Sequence, residues 1–133
     1  MKKRLALAAA LAFSIIPFTS LADHIEPNKK EIKEGGDLVH VNLVEADLRK
    51  KNLKGSDLSN AKLNKADLSG ANLRESNFSN AHLNKAILNN ANLRDANLSN
   101  TILSTASLSS ANLSDANLSL SLIHISEPTR LSA

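Results

Sequence analysis

From Leu38 to Leu118 every fifth residue is large and apolar: 17 positions in unbroken phase, 16 of them leucine, with Phe78 the exception. Two residues before each, from Ala46 to Ala116, alanine stands at 11 of 15 places; Lys51, Ser56, Ser76 and Thr101 depart from it. A short internal period constrains the fold before any single-residue propensity does. An α-helix advances roughly 100° per residue, so a step of five turns about 140° net and scatters the leucines around the axis. In a strand a step of five is odd, which sends successive leucines to opposite faces. A heptad seam needs alternating steps of three and four, and these are absent. A chain that turns a corner after every five residues does satisfy the pattern. Four such sides close a coil of twenty residues, with each leucine and its small neighbour pointing inward.

The unit stands most plainly as Ala66-Asp67-Leu68-Ser69-Gly70, Ala71-Asn72-Leu73-Arg74-Glu75, Ala91-Asn92-Leu93-Arg94-Asp95 and Ala111-Asn112-Leu113-Ser114-Asp115. Over residues 37–119 it resembles the pentapeptide-repeat family, whose consensus is A-(D/N)-L-x-x. The resemblance implies an all-β fold: a right-handed quadrilateral parallel β-helix, a solenoid of about four coils. At about 4.8 Å per coil, the spacing of neighbouring strands, the rod is roughly 20 Å long. It also implies that the central residue and the one two before it fill the interior. Those structural core positions include Leu48, Leu58, Leu68, Phe78, Leu88, Leu98 and Leu108, with Ala66, Ala71 and Ala91 beside them. No coil buries its leucines alone, so stability comes from stacking on neighbours.

The flanks read differently. Residues 1–22 carry Lys2, Lys3 and Arg4, then a 12-residue apolar stretch from Leu5 to Ile16, then Pro17 and the small residues Ser20 and Ala22. This is the layout of a secretory signal peptide cut after Ala22. Twelve apolar residues are too few to span about 30 Å of hydrocarbon, so an uncleaved anchor is the weaker reading. The absence of cysteine excludes a lipid-anchored form, a disulfide framework and a thiolate metal site. No stable membrane anchor is expected after cleavage, and a periplasmic or secreted bacterial location follows. The formal charge of +3 belongs to this segment, because its removal leaves 13 basic and 13 acidic residues. Residues 23–36 are a linker or an N-terminal cap. After Ser119 the repeat is read as stopping. Residues 120–130 match the translation of a transposase mosaic end joined to a sequencing adapter, so residues 120–133 are expected to be a non-native tail and the native chain to continue past Ser119.

On the outside, residues twenty apart should stack. Asn52, Asn72, Asn92 and Asn112 form one ladder, and Asn60, Asn80 and Asn100 another; both are expected to bond backbone at the corners. Lys54, Arg74 and Arg94 run beside Glu75, Asp95 and Asp115 as a solvated surface of weak ion pairs. Lys51 puts a charge at an inward position and is expected to mark an irregular first coil whose ammonium still reaches water. Two features stand out as partner contacts. Ile87 and Ile102 occupy a position that is otherwise polar and should sit outside on adjacent faces. Lys62, Lys65 and Lys85 with His82 form the best anion contact. Without interleaved aromatics this is a weak nucleic-acid signal, and no nucleic-acid partner is expected.

No phosphate loop, HExxH or nucleophile elbow occurs, and His24, His40, His82 and His124 lack ligand spacing, so no catalytic residue, metal or cofactor is expected. Uniform solenoid walls also lack the concavity small-molecule chemistry prefers. The expected function is a non-enzymatic exported repeat protein, a scaffold or binding surface for a protein partner, with a homodimer through a terminal coil as one contact. Two alternatives stand beside it. One is a topoisomerase-interacting DNA mimic, which some pentapeptide-repeat proteins resemble, although those rods are strongly acidic and cytoplasmic. The other is the repeat stalk of a longer protein with a missing downstream module.

Overall fold

The structure, a computed structural model, describes residues 32–124; residues 1–31, with the signal-peptide reading and most of the lead-in, and residues 125–133 lie outside the described residues. The local unit is a turn. In each repeat the carbonyl of the central residue accepts the N–H three residues on, from Val41 N to Leu38 O at 3.1 Å through to Ser121 N to Leu118 O at 3.1 Å. The second residue after each central one has positive φ without exception, from His40 at 62° to Leu120 at 57°, with glycine at Gly55 and Gly70. A left-handed residue at the third turn position is the signature of a type II turn. Each non-glycine residue held there costs roughly 1–2 kcal/mol. Burying one leucine, worth about 2–3 kcal/mol, outweighs that at every corner.

The coils stack in one register. All isolated bridges are parallel and join residue n to residue n+20, from Asp37 with Asp57 to Asn97 with Asn117. At the C-terminal end the ladder widens into two strands, β1 (Ile102–Ser104) and β2 (Leu122–His124), paired parallel in that same register. The molecule is therefore an all-β solenoid with four sides per coil. The first side is centred on Leu38, Leu58, Phe78, Leu98 and Leu118, and the second on Leu43, Leu63, Leu83, Leu103 and Ile123. The third is centred on Leu48, Leu68, Leu88 and Leu108, and the fourth on Leu53, Leu73, Leu93 and Leu113.

The unit at residues 66–70 shows why the motif reads as it does. Ala66 N–H closes the preceding turn on Leu63 O, Asp67 N–H reaches down to Ala46 O, and Leu68 N–H reaches up to Ile87 O at 2.7 Å. Gly70 N–H also reaches up, to Asn89 O at 2.9 Å. The remaining donor, Ser69 N–H, goes to Asp67 Oδ1 at 3.0 Å. All five backbone donors are satisfied, the last by the side chain of the residue before the leucine. The ladder of Asn52, Asn72, Asn92 and Asn112 performs this service on the fourth side, at 3.0–3.3 Å.

The core matches the inward pattern. Leu48, Leu58, Leu68, Phe78, Leu88 and Leu98 are fully buried, as are Ala66, Ala71 and Ala91, and Leu108 is 5% exposed. Ser56, Ser76 and Thr101 replace alanine and are buried too. Their hydroxyls donate to turn carbonyls of the coil below, Lys33 O at 2.9 Å, Leu53 O at 3.0 Å and Phe78 O at 2.8 Å, using the second lone pair of an oxygen already bonded in its own turn.

Two expectations change, and the structure adds detail at both ends. The coil at Lys51 is regular: its N–H bonds Leu48 O at 3.2 Å and its carbonyl accepts Asn72 N–H at 2.9 Å, while the half-buried side chain leaves the column later filled by alanine. The ladder of Asn60, Asn80 and Asn100 makes no side-chain hydrogen bond among the described residues; these residues hold the left-handed corner, at φ 60°, 62° and 58°, which asparagine tolerates. Backbone pairing continues past Ser119. Leu122 N–H bonds Thr101 O at 2.8 Å and Ile123 takes the central position against the core, so the coil runs on through β2. At the other end, residues 32–36 already dock: Gly35 N–H bonds Lys54 O at 2.8 Å and Ile32 packs against the core.

The corner strain is directly testable. A Cβ on Gly55, at φ +69°, meets nothing within 4 Å, so Gly55→Ala changes only the backbone, and a loss of about 1 kcal/mol in urea unfolding is expected. Thr105, β-branched at φ 56°, is the reverse case, and Thr105→Asn should raise stability by about 0.5–1 kcal/mol.

Candidate functional site

The residue before each central leucine carries the cap that satisfies the last backbone donor, and it is Asp or Asn all along the first side (Asp37, Asp57, Asn77, Asn97, Asn117) and the fourth. The departures fall elsewhere. Lys62, His82, Ile102 and Leu122 form one ladder on the second side, and Ile87 and Ser107 are neighbours on the third. The cap is given up only on the two sides that share one corner.

Other groups take over part of the lost bonding. Asn64 Oδ1 accepts both the N–H and the side-chain amide of Asn84, at 3.1 and 2.9 Å, and Asn89 Oδ1 accepts Ser109 N–H at 3.0 Å. The asparagine has moved to the far side of the leucine and caps the coil above. That transfer serves the N–H groups that His82 and Ser107 would otherwise cap; beside Lys62 and Ile87, no side chain among the described residues caps the N–H of Asn64 or Asn89.

The structure brings all six sequence-predicted contacts to this corner. Lys65 and Lys85 stand on the turn between the second and third sides, with φ 64° and 61°. Lys62, His82 and Ile102 flank them on the second side, Ile87 on the third. Lys62, Lys65, His82 and Lys85 are exposed, Ile87 is 37% exposed, and Ile102 is only half-buried rather than fully outside. Acidic groups here are few. Glu45 lies 3.5 Å from Lys65 Nζ, and Asp67, on the third side, already accepts the N–H and hydroxyl of Ser69.

Ion pairs elsewhere lie on the third and fourth sides. Along the edge of the fourth side Lys54 meets Glu75 at 3.5 Å, Arg74 meets Glu75 at 3.6 Å and Asp95 at 3.8 Å, and Arg94 meets Asp95 at 3.2 Å. These exposed pairs are worth about 0–1 kcal/mol each. On the third side Arg49 donates to both carboxylate oxygens of Asp47, at 2.7 and 2.6 Å, and with its backbone N–H holds that carboxyl down at about 2.

What the sequence reading missed was the common cause: the six residues lie where the Asp/Asn cap is absent, a signal visible in the repeat alignment itself. Restoring the cap tests this. Ile87→Asn places an oxygen beside Asn89 N–H, as Asp67 does for Ser69, and should gain about 0.5–1 kcal/mol in urea unfolding. A loss of stability would show that Ile87 is there for packing.

The profile of pentapeptide repeats matches the chain in eight copies, over residues 37–74, 52–90 and 86–122. No curated protein matched the chain. Among solved structures, a pentapeptide repeat protein from the Arabidopsis thaliana thylakoid lumen is 26% identical with a TM-score of 0.65, over 68% of this chain and 63% of that one. A pentapeptide repeat protein from the cyanobacterium Nostoc is 39% identical with a TM-score of 0.49, over 71% of this chain and 78% of that one. A third, from the cyanobacterium Cyanothece, is 33% identical with a TM-score of 0.47, over 62% of this chain and 52% of that one. The chain thus spans 63% and 52% of two of these relatives. Period, turn, register and profile agree: the chain belongs to the pentapeptide-repeat family.

Proposed function

We propose that this is a non-enzymatic, exported pentapeptide-repeat protein whose rigid four-sided coil, right-handed as parallel crossover connections are and about four coils long, is a scaffold presenting one corner to a protein partner. The observation that carries the reading is the loss of the structural cap on the two sides sharing that corner, where Lys62, His82, Ile87 and Ile102 replace it. A side chain that gives up a backbone bond at a regular position is retained for something other than the fold. The relative from the thylakoid lumen resides in a compartment proteins must be translocated to reach, which agrees with an export signal at residues 1–22. The near-balance of positive and negative groups on the surface weighs against a DNA mimic, which needs a strongly acidic rod. A homodimer through a terminal coil is a second contact within this reading.

Capture from the exported fraction of the source cells tests the proposal. The expected result is a partner recovered by the native chain and by Lys54→Gln, and lost from Ile87→Asn and from Ile102→Asn. Equal recovery by all four would remove the corner from the function. Stoichiometric protection of DNA gyrase would replace the reading with the DNA mimic, and an intact reading frame with a catalytic module downstream would replace it with the repeat stalk.

A further inference from the structure

The corner carries a clear excess of positive charge. The first side bears only Asp37 and Asp57 in its central ladder. The fourth side and its edge set Lys51, Lys54, Arg74 and Arg94 against Glu75, Asp95 and Asp115. The third side sets Arg49 and Lys50 against Asp47 and Asp67. The second side with its corner sets Lys62, Lys65 and Lys85, with His82 beside them, against Glu45 alone. Among the described residues Lys62 and Lys85 have no ion-pair partner. This patch holds more positive than negative groups, whereas the other sides carry the two signs in closer balance or an acidic excess.

The apolar residues continue the same ladder. Lys62 and His82 are followed one coil on by Ile102. Ile87 lies across the corner from them, two residues beyond Lys85. Cations and aliphatic side chains thus share a ridge two to three coils long, about 10–15 Å at the strand spacing. The ridge is a convex turn between two flat sides, so it fits an opposing surface rather than enclosing a small molecule.

Resting on the proposed binding role, we infer that the partner presents an acidic segment with aliphatic residues next to the acidic ones, docked along this corner. Charge complementarity selects the acid. The isoleucines select a protein segment over a hydrated polyanion, which would engage lysines and leave Ile87 and Ile102 in water. The absence of aromatic side chains from the ridge removes the stacking that single-stranded nucleic acid uses. Exposed cations contribute chiefly to association rate and salt dependence, so the lysines steer the encounter while the isoleucines hold the bound segment.

Fluorescence anisotropy of the full chain with a dye-labelled peptide of alternating Glu and Leu tests this, beside a Lys–Leu peptide of equal length, heparin, and vesicles containing phosphatidylglycerol. The Glu–Leu peptide should bind and the Lys–Leu peptide should not. Affinity should fall about tenfold between roughly 0.05 and roughly 0.5 M salt. The triple variant Lys62→Gln, Lys65→Gln, Lys85→Gln should lose about tenfold or more. Ile87→Asn with Ile102→Asn, which restores the backbone caps, should lose about fivefold. Urea unfolding of each variant confirms that it is folded. Three results overturn the inference: no binding of the Glu–Leu peptide at millimolar concentration, affinity unchanged in the lysine variant, or tighter binding to heparin or vesicles with no dependence on the isoleucines. If any of these occurs while partner capture still depends on Ile87 and Ile102, the binding role stands and only the acidic partner is wrong.

Discussion

The stacking of one coil on the next depends on a backbone hydrogen-bond schedule that leaves no donor over in five residues. Leu68 and Gly70 reach up, Asp67 reaches down, Ala66 closes a turn, and the carboxylate of Asp67 takes the last N–H. Each bond is worth only about 1 kcal/mol net, but an unmet buried donor costs more. The backbone bonds of this schedule, repeated side by side up the rod, fix the twenty-residue register. The schedule also fixes the left-handed residue at each corner and thereby the direction of every outward side chain. The leucines supply the driving force, and the schedule decides which shape that force produces.

This division explains where the surface is free to vary. On the first and fourth sides the cap position is held by Asp or Asn, and their amides also bond along the rod, as Asn97 does to Asn77 at 3.1 Å and Asn72 to Asn52 at 2.9 Å. On the second and third sides Asn64 and Asn89 cap the coil above from the other side of the leucine, in place of His82 and Ser107, while Lys62 and Ile87 stand where the cap is not replaced among the described residues. A repeat protein with nearly uniform walls marks a distinctive surface by dropping a structural residue rather than by adding a pocket. All six contact residues named from the sequence lie beside that one corner.

The interior was legible because it obeys a single period, and inwardness follows from steric closure alone. Leu48 through Leu98 and their alanines needed no knowledge of the turn. Other features have no periodic signal. The hydroxyls of Ser56, Ser76 and Thr101 replace methyl groups at positions that read as breaks, yet they satisfy carbonyls 23 residues earlier. Asn60, Asn80 and Asn100 look like further caps, but they sit at positive φ, where their tolerance of the backbone matters and their side chains bond nothing described. The ends were less legible because a repeat boundary depends on whether the backbone still pairs, and Ile123 pairs although its neighbours no longer match the consensus.

The twenty-residue register is read most directly by hydrogen-bond scalar couplings in a triply labelled sample. The account predicts a coupling from the amide of Leu68 to the carbonyl of Ile87, and from the amide of Ile87 back to the carbonyl of Ala66. A third should join Leu73 to Asn92. Couplings to a carbonyl four residues earlier would mean a helix, and partners offset from these would mean another coil length. Either result would contradict the stacking on which the corner, its charges and its proposed partner all depend.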